Sequence, residues 1–386
     1  MNRNPGHAVR AFALALVLLT APLATPLAAR DASTDAAALE EATAAMIDYL
    51  GLEASAVPVR ELPGWRKPDK VVVWHSDPAR LPVLQAVAPG VEVVFVQSSE
   101  DAIEAVRDAQ VLIGSCDEEI LSQSPGLHWV QVYSAGVDHC LGNATVDSGR
   151  ILLTNGQRIA SPALAEHAIA LMMALVRGLD RYHANQLKGA WERDIGLARE
   201  DFMELEGRTV LVVGLGGIGT MVAQRAHGLG MRVIATRGSR REGPDFVDYV
   251  GLAHETLELA RQADVVINTA PLTDETLGMF DADFFEAMKP GAYFVSVGRG
   301  ASTVTADLIA ALESGKIAGA GLDVTDPEPL PEGHPLWTAP RVLISPHTAG
   351  ASDKGRERLF LLVRENLRRY VAGEPLISVV DIERGY

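Results

Sequence analysis

From Val71 onward, short apolar runs alternate with stretches of helical length. The runs at 71–74, 91–96, 111–114, 129–133 and 151–154 are almost uninterrupted by charge, the pattern of strands buried on both faces of a sheet. A long apolar helix is predicted over 162–177, followed by a polar stretch to Glu206. A second set of runs then begins, at 209–213, 232–235, 265–269, 293–297, 319–324 and 342–345. After Gly350, apolar positions at Leu359, Leu362, Val363 and Leu367 keep helical spacing to about Val371. Strands alternating with helices in this way imply an α/β chain with two doubly wound parallel sheets. Six strands in the second set are enough for a complete dinucleotide-binding domain of the Rossmann type.

The beginning of the chain departs from this pattern. Arg3 and Arg10 precede an uncharged apolar run at 11–19, and small residues and prolines follow to Ala29. That is the anatomy of a secretory signal peptide over residues 1–30, too short in its apolar part to span a membrane comfortably. Export to the periplasm or beyond is the expectation; the alternative is a cytoplasmic protein starting later, for example at Met46. Residues 31–68 read as a short helix and a proline-containing linker without visible chemistry.

Charge narrows the partners. A formal net charge of −16 would repel a polyanion over most of the surface, so no nucleic acid is expected. The only cysteines, Cys116 and Cys140, suggest neither a disulfide framework nor a zinc cluster. They read as two ordinary buried thiols, and no metal is expected.

The sharpest local signal is the turn after the 209–213 run, where Gly214, Gly216, Gly217, Ile218 and Gly219 open a helix at 220–229. Glycines at this spacing carry weight here because a strand precedes them and a helix follows. Gly214 permits the tight turn, Gly216 lets backbone approach a pyrophosphate, and Gly219 lets helix and strand pack closely. The free N–H groups at the start of the helix then face the anion. Beyond the second strand, where an NAD site usually carries a carboxylate for the ribose, the chain has Arg237, Ser239, Arg240 and Arg241. Arg237, Ser239 and Arg240 suit the 2′-phosphate of NADP. NADP is therefore favoured, with NAD the alternative.

From about residue 70 to its end, the chain resembles the D-isomer-specific 2-hydroxyacid dehydrogenase family. The resemblance rests on Ser134-Ala135-Gly136-Val137-Asp138, Ala165-Glu166-His167, the glycine turn and Ala270-Pro271-Leu272-Thr273. It continues through Val297-Gly298-Arg299-Gly300, Gly321-Leu322-Asp323, Asp326-Pro327-Glu328-Pro329, His334-Pro335-Leu336-Trp337 and Ser345-Pro346-His347. It implies a flavodoxin-like substrate domain made from 69–160 and 351–386, with the dinucleotide domain 161–350 inserted. It also implies a cleft between them, hinged on helices near 160–175 and 350–370, and a homodimer formed through the dinucleotide domains.

Reduction of a 2-keto acid needs a cation for the substrate carboxylate and an acid for the developing alkoxide. Arg299, in a glycine-flanked turn after a strand, offers a guanidinium fork and matches the family's substrate arginine. His347 follows a strand at its carboxyl end, and histidine exchanges protons near neutrality. Glu328 matches the carboxylate that pairs with this histidine, favours the imidazolium and holds the ring. By resemblance, backbone N–H groups at Ala135 and Gly136 hold the substrate carboxylate, and Asp323 binds the nicotinamide carboxamide. Pro271 and Gly298 line the cofactor cleft, while Glu166 and His167 are packing and hinge residues. Ser296 and Val304 depart from the family pattern, which often has asparagine and aspartate there. Glyoxylate or hydroxypyruvate is the expected substrate. A phosphite- or formate-type dehydrogenase is the runner-up, although formate relatives pair the histidine with glutamine. A non-catalytic dinucleotide-sensing protein is the reading from another class.

Overall fold

The computed structural model describes residues 32–75, 77–193 and 202–383. The signal-like segment 1–30 lies outside them. The chain divides at Glu41, up to which the described part is the beginning of helix α1 (Ala32–Leu50). The body from Ala42 onward contains two parallel sheets.

The first sheet holds β1 (Lys70–Trp74), β2 (Glu92–Val96), β3 (Val111–Ile113), β4 (Trp129–Gln131) and β5 (Leu152–Thr154). Its order is β2-β1-β3-β4-β5, every pair parallel. The connections carry α2 (Leu81–Val87), α3 (Ser99–Ala105), α4 (Glu118–Leu121) and α5 (Ala144–Asp147). Val71, Val72, Val73, Val111, Leu112 and Ile113 are fully buried, as continuous apolar strands between two covering layers must be.

Two helices lead onward, α6 (Ser161–Val176) and α7 (Leu179–Leu187). The second sheet follows with β6 (Thr209–Val213), β7 (Arg232–Arg237), β8 (Tyr249–Leu252), β9 (Val265–Asn268), β10 (Ala292–Ser296), β11 (Ile317–Leu322) and β12 (Val342–Ile344). Its order is β12-β11-β10-β9-β6-β7-β8. Helices α8 (Gly217–Gly228), α9 (Thr256–Ala260), α10 (Ala282–Ala287) and α11 (Thr305–Glu313) connect these strands. The strand order reverses between β6 and β9, which puts a ligand crevice at their carboxyl ends.

The last helix, α12 (Gly355–Ala372), returns to the first sheet. Its Phe360, Val363, Leu367 and Tyr370 join the core cluster of β1 and β3. The Tyr370 ring stacks on Trp129 of β4, with centroids 4.9 Å apart. Asn366, buried completely, donates to Gln131 Oε1 and to the carbonyl of Ile377, so the helix is registered by polar as well as apolar contacts. Both ends of the body thus build one domain around an inserted one.

Two expectations need correction. The second sheet has seven strands rather than six, because β8 is a short edge strand with Tyr249 exposed and Gly251 inside it. It therefore lacks a continuous apolar run. Cys116 and Cys140 are not separate thiols but a disulfide, with Cα atoms 5.6 Å apart. The reason is topological. The cysteines lie in the loops that follow β3 and β4, which are neighbours in the sheet, so parallel pairing brings these carboxyl-end loops together. No single helix among the described residues is long and apolar enough to cross a membrane.

Candidate active site

His347 stands directly beyond β12, at φ 54° in the left-handed region. A cluster of backbone contacts holds it there: its own N–H donates to the carbonyl of Asp323, 2.7 Å away. Asp323 is 1% exposed and holds the rest of the turn. Its Oδ1 accepts from Ser345 Oγ at 2.7 Å and from Thr348 N at 3.0 Å, and its Oδ2 accepts from Ala349 N at 3.0 Å. A buried carboxylate is tolerated because each oxygen is satisfied. The chain itself therefore uses Asp323 to shape the turn that presents the histidine.

The ring of His347 bonds Glu328 through Nδ1, at 2.6 Å from Oε1. Both side chains are partly exposed, at 47% and 39%, so the pair faces open space rather than the core. Glu328 leaves Nε2 as the outward nitrogen, and the pair borders a cavity of about 360 Å³ with a largely apolar lining that includes Leu330, Trp337 and Ile344.

Arg299 lies beyond β10, two strand positions from β12 in the sheet, a spacing of roughly 10 Å. Its guanidinium is held by three bonds. Nη1 donates to the carbonyl of Gly298 at 3.0 Å, while Nε and Nη2 both donate to Asp138 Oδ2 at 3.3 Å. Asp138 and Gly136 sit on the loop after β4, in the other domain. Gly136 is where that loop touches the arginine: a Cβ there would overlap Nη2 and come 3.0 Å from Cζ. Ala135 is exposed beside it, with its carbonyl accepting from Asn155 Nδ2 at 2.7 Å. The structure thus brings Arg299 to Gly136 across the cleft, and His347 to Glu328. Asp138 as the partner of Arg299 was missed, although it stands inside a motif the sequence displays.

The dinucleotide turn has the shape its glycines require. Gly214 has φ 91°, and a Cβ there would meet Ala270 at 2.8 Å. At Gly219 a Cβ would overlap the Gly214 carbonyl, whereas at Gly216 it would meet nothing within 4 Å. Gly216 therefore leaves an open cradle, and α8 begins there without any side-chain cap for its N–H groups. Gly217 and Ile218 form its first turn. Beyond β7, Ser239 and Arg240 are exposed. Arg241 is engaged by Glu255 at 2.7 Å and by the Tyr249 hydroxyl at 2.9 Å. Arg237 differs: its Nε is buried without a hydrogen-bond partner among the described residues. Burial, and then the nearby Arg240 and Arg158, pull its pKa below the ordinary arginine value, with Glu242 opposing. An orphaned guanidinium nitrogen and an uncapped helix start fit an anionic dinucleotide.

Comparison with known proteins agrees with this geometry. Residues 169–349 match the family model described as D-isomer specific 2-hydroxyacid dehydrogenase, NAD binding domain. A glyoxylate reductase of Korarchaeum cryptofilum is 36% identical over 295 residues, covering 74% of this chain and 87% of that protein. The chain belongs to the D-isomer-specific 2-hydroxyacid dehydrogenases. A human member of this dehydrogenase family, glyoxylate reductase/hydroxypyruvate reductase, is 32% identical over 269 residues, 69% of this chain and 81% of its own. Among solved dehydrogenases, an NADPH-dependent glyoxylate/hydroxypyruvate reductase of Sinorhizobium meliloti, in complex with NADP and sulfate, is 27% identical. It superposes with a TM-score of 0.70 over 82% of this chain and all of that one. The protein is therefore an oxidoreductase that acts on CH–OH donors with a nicotinamide dinucleotide.

Within this dehydrogenase the remaining expected residues take supporting places. Gly298 is buried against Ala270 and Asn268, and Pro271 is exposed at the end of β9. Ser296, one of the departures, is buried and accepts from Asn268 Nδ2 at 3.1 Å. Val304 gives α11 no side-chain cap, and Asp307 instead accepts from Ala282 N, tying α11 to α10. His167 bonds Ser345 Oγ at 2.7 Å and Glu166 pairs with Arg225 at 3.0 Å, so α6 grips both the turn that carries His347 and α8. Asn268, wholly buried and bonded to Ser296, Ser302 and Ala270, was not anticipated; only its place at a strand end signals it.

Proposed function

We propose that this dehydrogenase reduces a small 2-keto acid of the glyoxylate or hydroxypyruvate kind to its D-2-hydroxy acid, with NADP(H) preferred. The observation that carries the reading is the meeting of Arg299 with Gly136 across the cleft, two strands from the His347–Glu328 pair. The dinucleotide, when bound, supplies the hydride. The chain supplies everything else. Arg299 and the N–H groups of Ala135 and Gly136 fix the carboxylate and polarise the ketone. His347 gives a proton from Nε2 to the carbonyl oxygen as it gains charge. Glu328 holds Nδ1 and so fixes the ring with Nε2 free for the transfer. In the oxidative direction His347 takes the proton back from the hydroxyl.

Glu328 argues against a formate substrate, and a glyoxylate reductase and a glyoxylate reductase/hydroxypyruvate reductase are 36% and 32% identical to the chain over their matched residues. The unpartnered Arg237 and exposed Arg240 support NADP(H), as does the NADP carried by the Sinorhizobium meliloti enzyme. Leu187 and Trp191, 76% and 92% exposed, with Leu179 nearby in sequence, support a homodimer covering this face. The Cys116–Cys140 disulfide supports an oxidising compartment, in line with the signal-like N-terminus.

The test is oxidation of NADPH and NADH, followed at 340 nm, with glyoxylate, hydroxypyruvate and pyruvate. Turnover with an NADPH preference is expected, and His347→Gln should lower kcat by about 10²-fold or more while dinucleotide still binds. Tight dinucleotide binding without turnover of any of these acids would overturn the keto-acid reading in favour of a phosphite-type substrate or a sensing role.

A further inference from the structure

Arg158 stands in the loop between β5 and α6, at φ 66°, a backbone conformation that residues with a side chain rarely adopt. Its side chain runs between two glycines. On one side is Gly217, the first residue of α8, where a Cβ would come 2.7 Å from Arg158 Cγ and 3.3 Å from its Cδ. On the other is Gly51, just past α1 and at φ 59°, where a Cβ would come 3.0 Å from Arg158 Nη1. Nη1 donates to the carbonyls of Leu50 at 3.3 Å and Gly51 at 2.9 Å, the last acceptors of α1. No other acceptor among the described residues bonds this guanidinium, so Nε and Nη2 keep their donors unused.

The surroundings point to an anion. The stem of Arg158 crosses the first turn of α8, beside the open cradle at Gly216. Arg237, with its buried and unpartnered Nε, is close enough to feel the charge of Arg158. Arg158, Arg237 and Arg240 therefore crowd like charges around one turn, with Glu242 as the carboxylate facing Arg237. The 2′-phosphate position belongs to the far end, beyond β7, where Arg237 and Arg240 stand. Arg158 lies at the helix start instead, where the paired phosphates of a dinucleotide belong.

We propose that Arg158 is a pyrophosphate-binding residue, held over the start of α8 by the last carbonyls of α1, so that the N-terminal segment is a working part of the cofactor site. The inference rests on the dinucleotide reading of the β6–α8 turn. It gives residues 42–51 a function: they aim a cation that the glycine turn itself lacks. It also explains why both neighbours are glycine, since a side chain at either position would displace the arginine.

Direct binding of NADPH and of NADH to the full chain, followed by cofactor fluorescence, tests this without turnover. Arg158→Gln is expected to weaken both dinucleotides about tenfold and to about the same extent, since each keeps the pyrophosphate. Gly51→Ala, which removes no charge and lies outside the glycine turn, is expected to weaken both about threefold by displacing Nη1. Circular dichroism reports whether each variant is folded, and Gly51→Ala carries the test if Arg158→Gln is not. Parent-like affinity of folded variants for both dinucleotides overturns the proposal. Loss confined to NADPH overturns it too, by moving Arg158 to the 2′-phosphate. If the parent chain binds neither dinucleotide, the reading of the turn itself falls, and the proposal with it.

Discussion

A side chain at position 136 would fill the volume in which the Arg299 guanidinium now lies, and this contact has a measurable consequence. The loop after β4 and the turn after β10 belong to different domains, so the proposed substrate anchor would exist only where they meet. Gly136→Ala should push the guanidinium away from the loop N–H groups while leaving the dinucleotide turn untouched. Steady-state kinetics are expected to show KM for the keto acid raised about tenfold, with dinucleotide affinity unchanged. An unchanged KM would mean that the substrate carboxylate binds elsewhere. The same contact shows how much a motif conveys. Arg299, Glu328 and His347 were legible because their neighbours fix them in one order along the chain. The bond from Arg299 to Asp138 was not, since 161 residues separate the partners and only the closed fold joins them. Asp323 shows the limit from the other side: its position was legible, but its commitment to the His347 turn depends on where Thr348 and Ala349 place their N–H groups.

At the scale of elements, continuous apolar runs located eleven of the twelve strands within one or two residues, because a strand buried on both faces has no polar position to hide it. The edge strand β8, half exposed and carrying Gly251, gave no such run. Helix α12 is amphipathic and was also legible, but what secures its end was not. Glu365, with its side chain 9% exposed, bonds Arg368 at 2.9 Å and Arg369 at 2.6 Å. Burial opposes its ionisation most strongly, yet the two guanidiniums outweigh burial and hold its pKa below the usual glutamate value. A carboxyl depressed in the folded state stabilises the fold above its unfolded pKa, and that contribution is lost as pH falls through the folded value. Glu365→Gln should therefore melt several degrees below the parent at pH 7, a loss on the order of 2 kcal/mol for bonds to a charged group. The gap should narrow as the pH falls below about 4.5, where the carboxyl of the unfolded chain takes up a proton, and close once the folded carboxyl, held lower, is protonated too. Thermal melts across pH 3–8 check this, and a gap that stays constant would show that packing, not charge, is what the variant loses.

At the scale of the whole molecule, two features bear on where the enzyme works. One is the disulfide, which ties the loop after β3 to the loop that carries Gly136 and Asp138. The other is the buried, unpartnered Nε of Arg237, together with the Arg158 guanidinium bonded to the Leu50 and Gly51 carbonyls, features that suit a bound anion. Free NADP(H) is scarce outside the cytoplasm, so an exported dehydrogenase has to take its dinucleotide with it. Carrying the cofactor requires the chain to fold first and cross afterwards. In that order the disulfide closes last, between loops that parallel strand pairing has already brought together. Closing a loop of 24 residues stabilises a fold by roughly 3 kcal/mol, so an exported form of the enzyme would gain stability on reaching an oxidising compartment. Protein recovered from an oxidising compartment should thus release about one equivalent of dinucleotide on denaturation, read by absorbance and enzymatic cycling. Denatured without reductant, it should show no thiol reactive to a chromogenic disulfide, and two after reduction. Reduction of the folded protein should lower its melting temperature by several degrees and raise KM for the keto acid as the substrate loop loosens. Two reactive thiols before reduction, in protein that carries no dinucleotide, would break both arguments at once and return the enzyme to the cytoplasm, where neither device is needed.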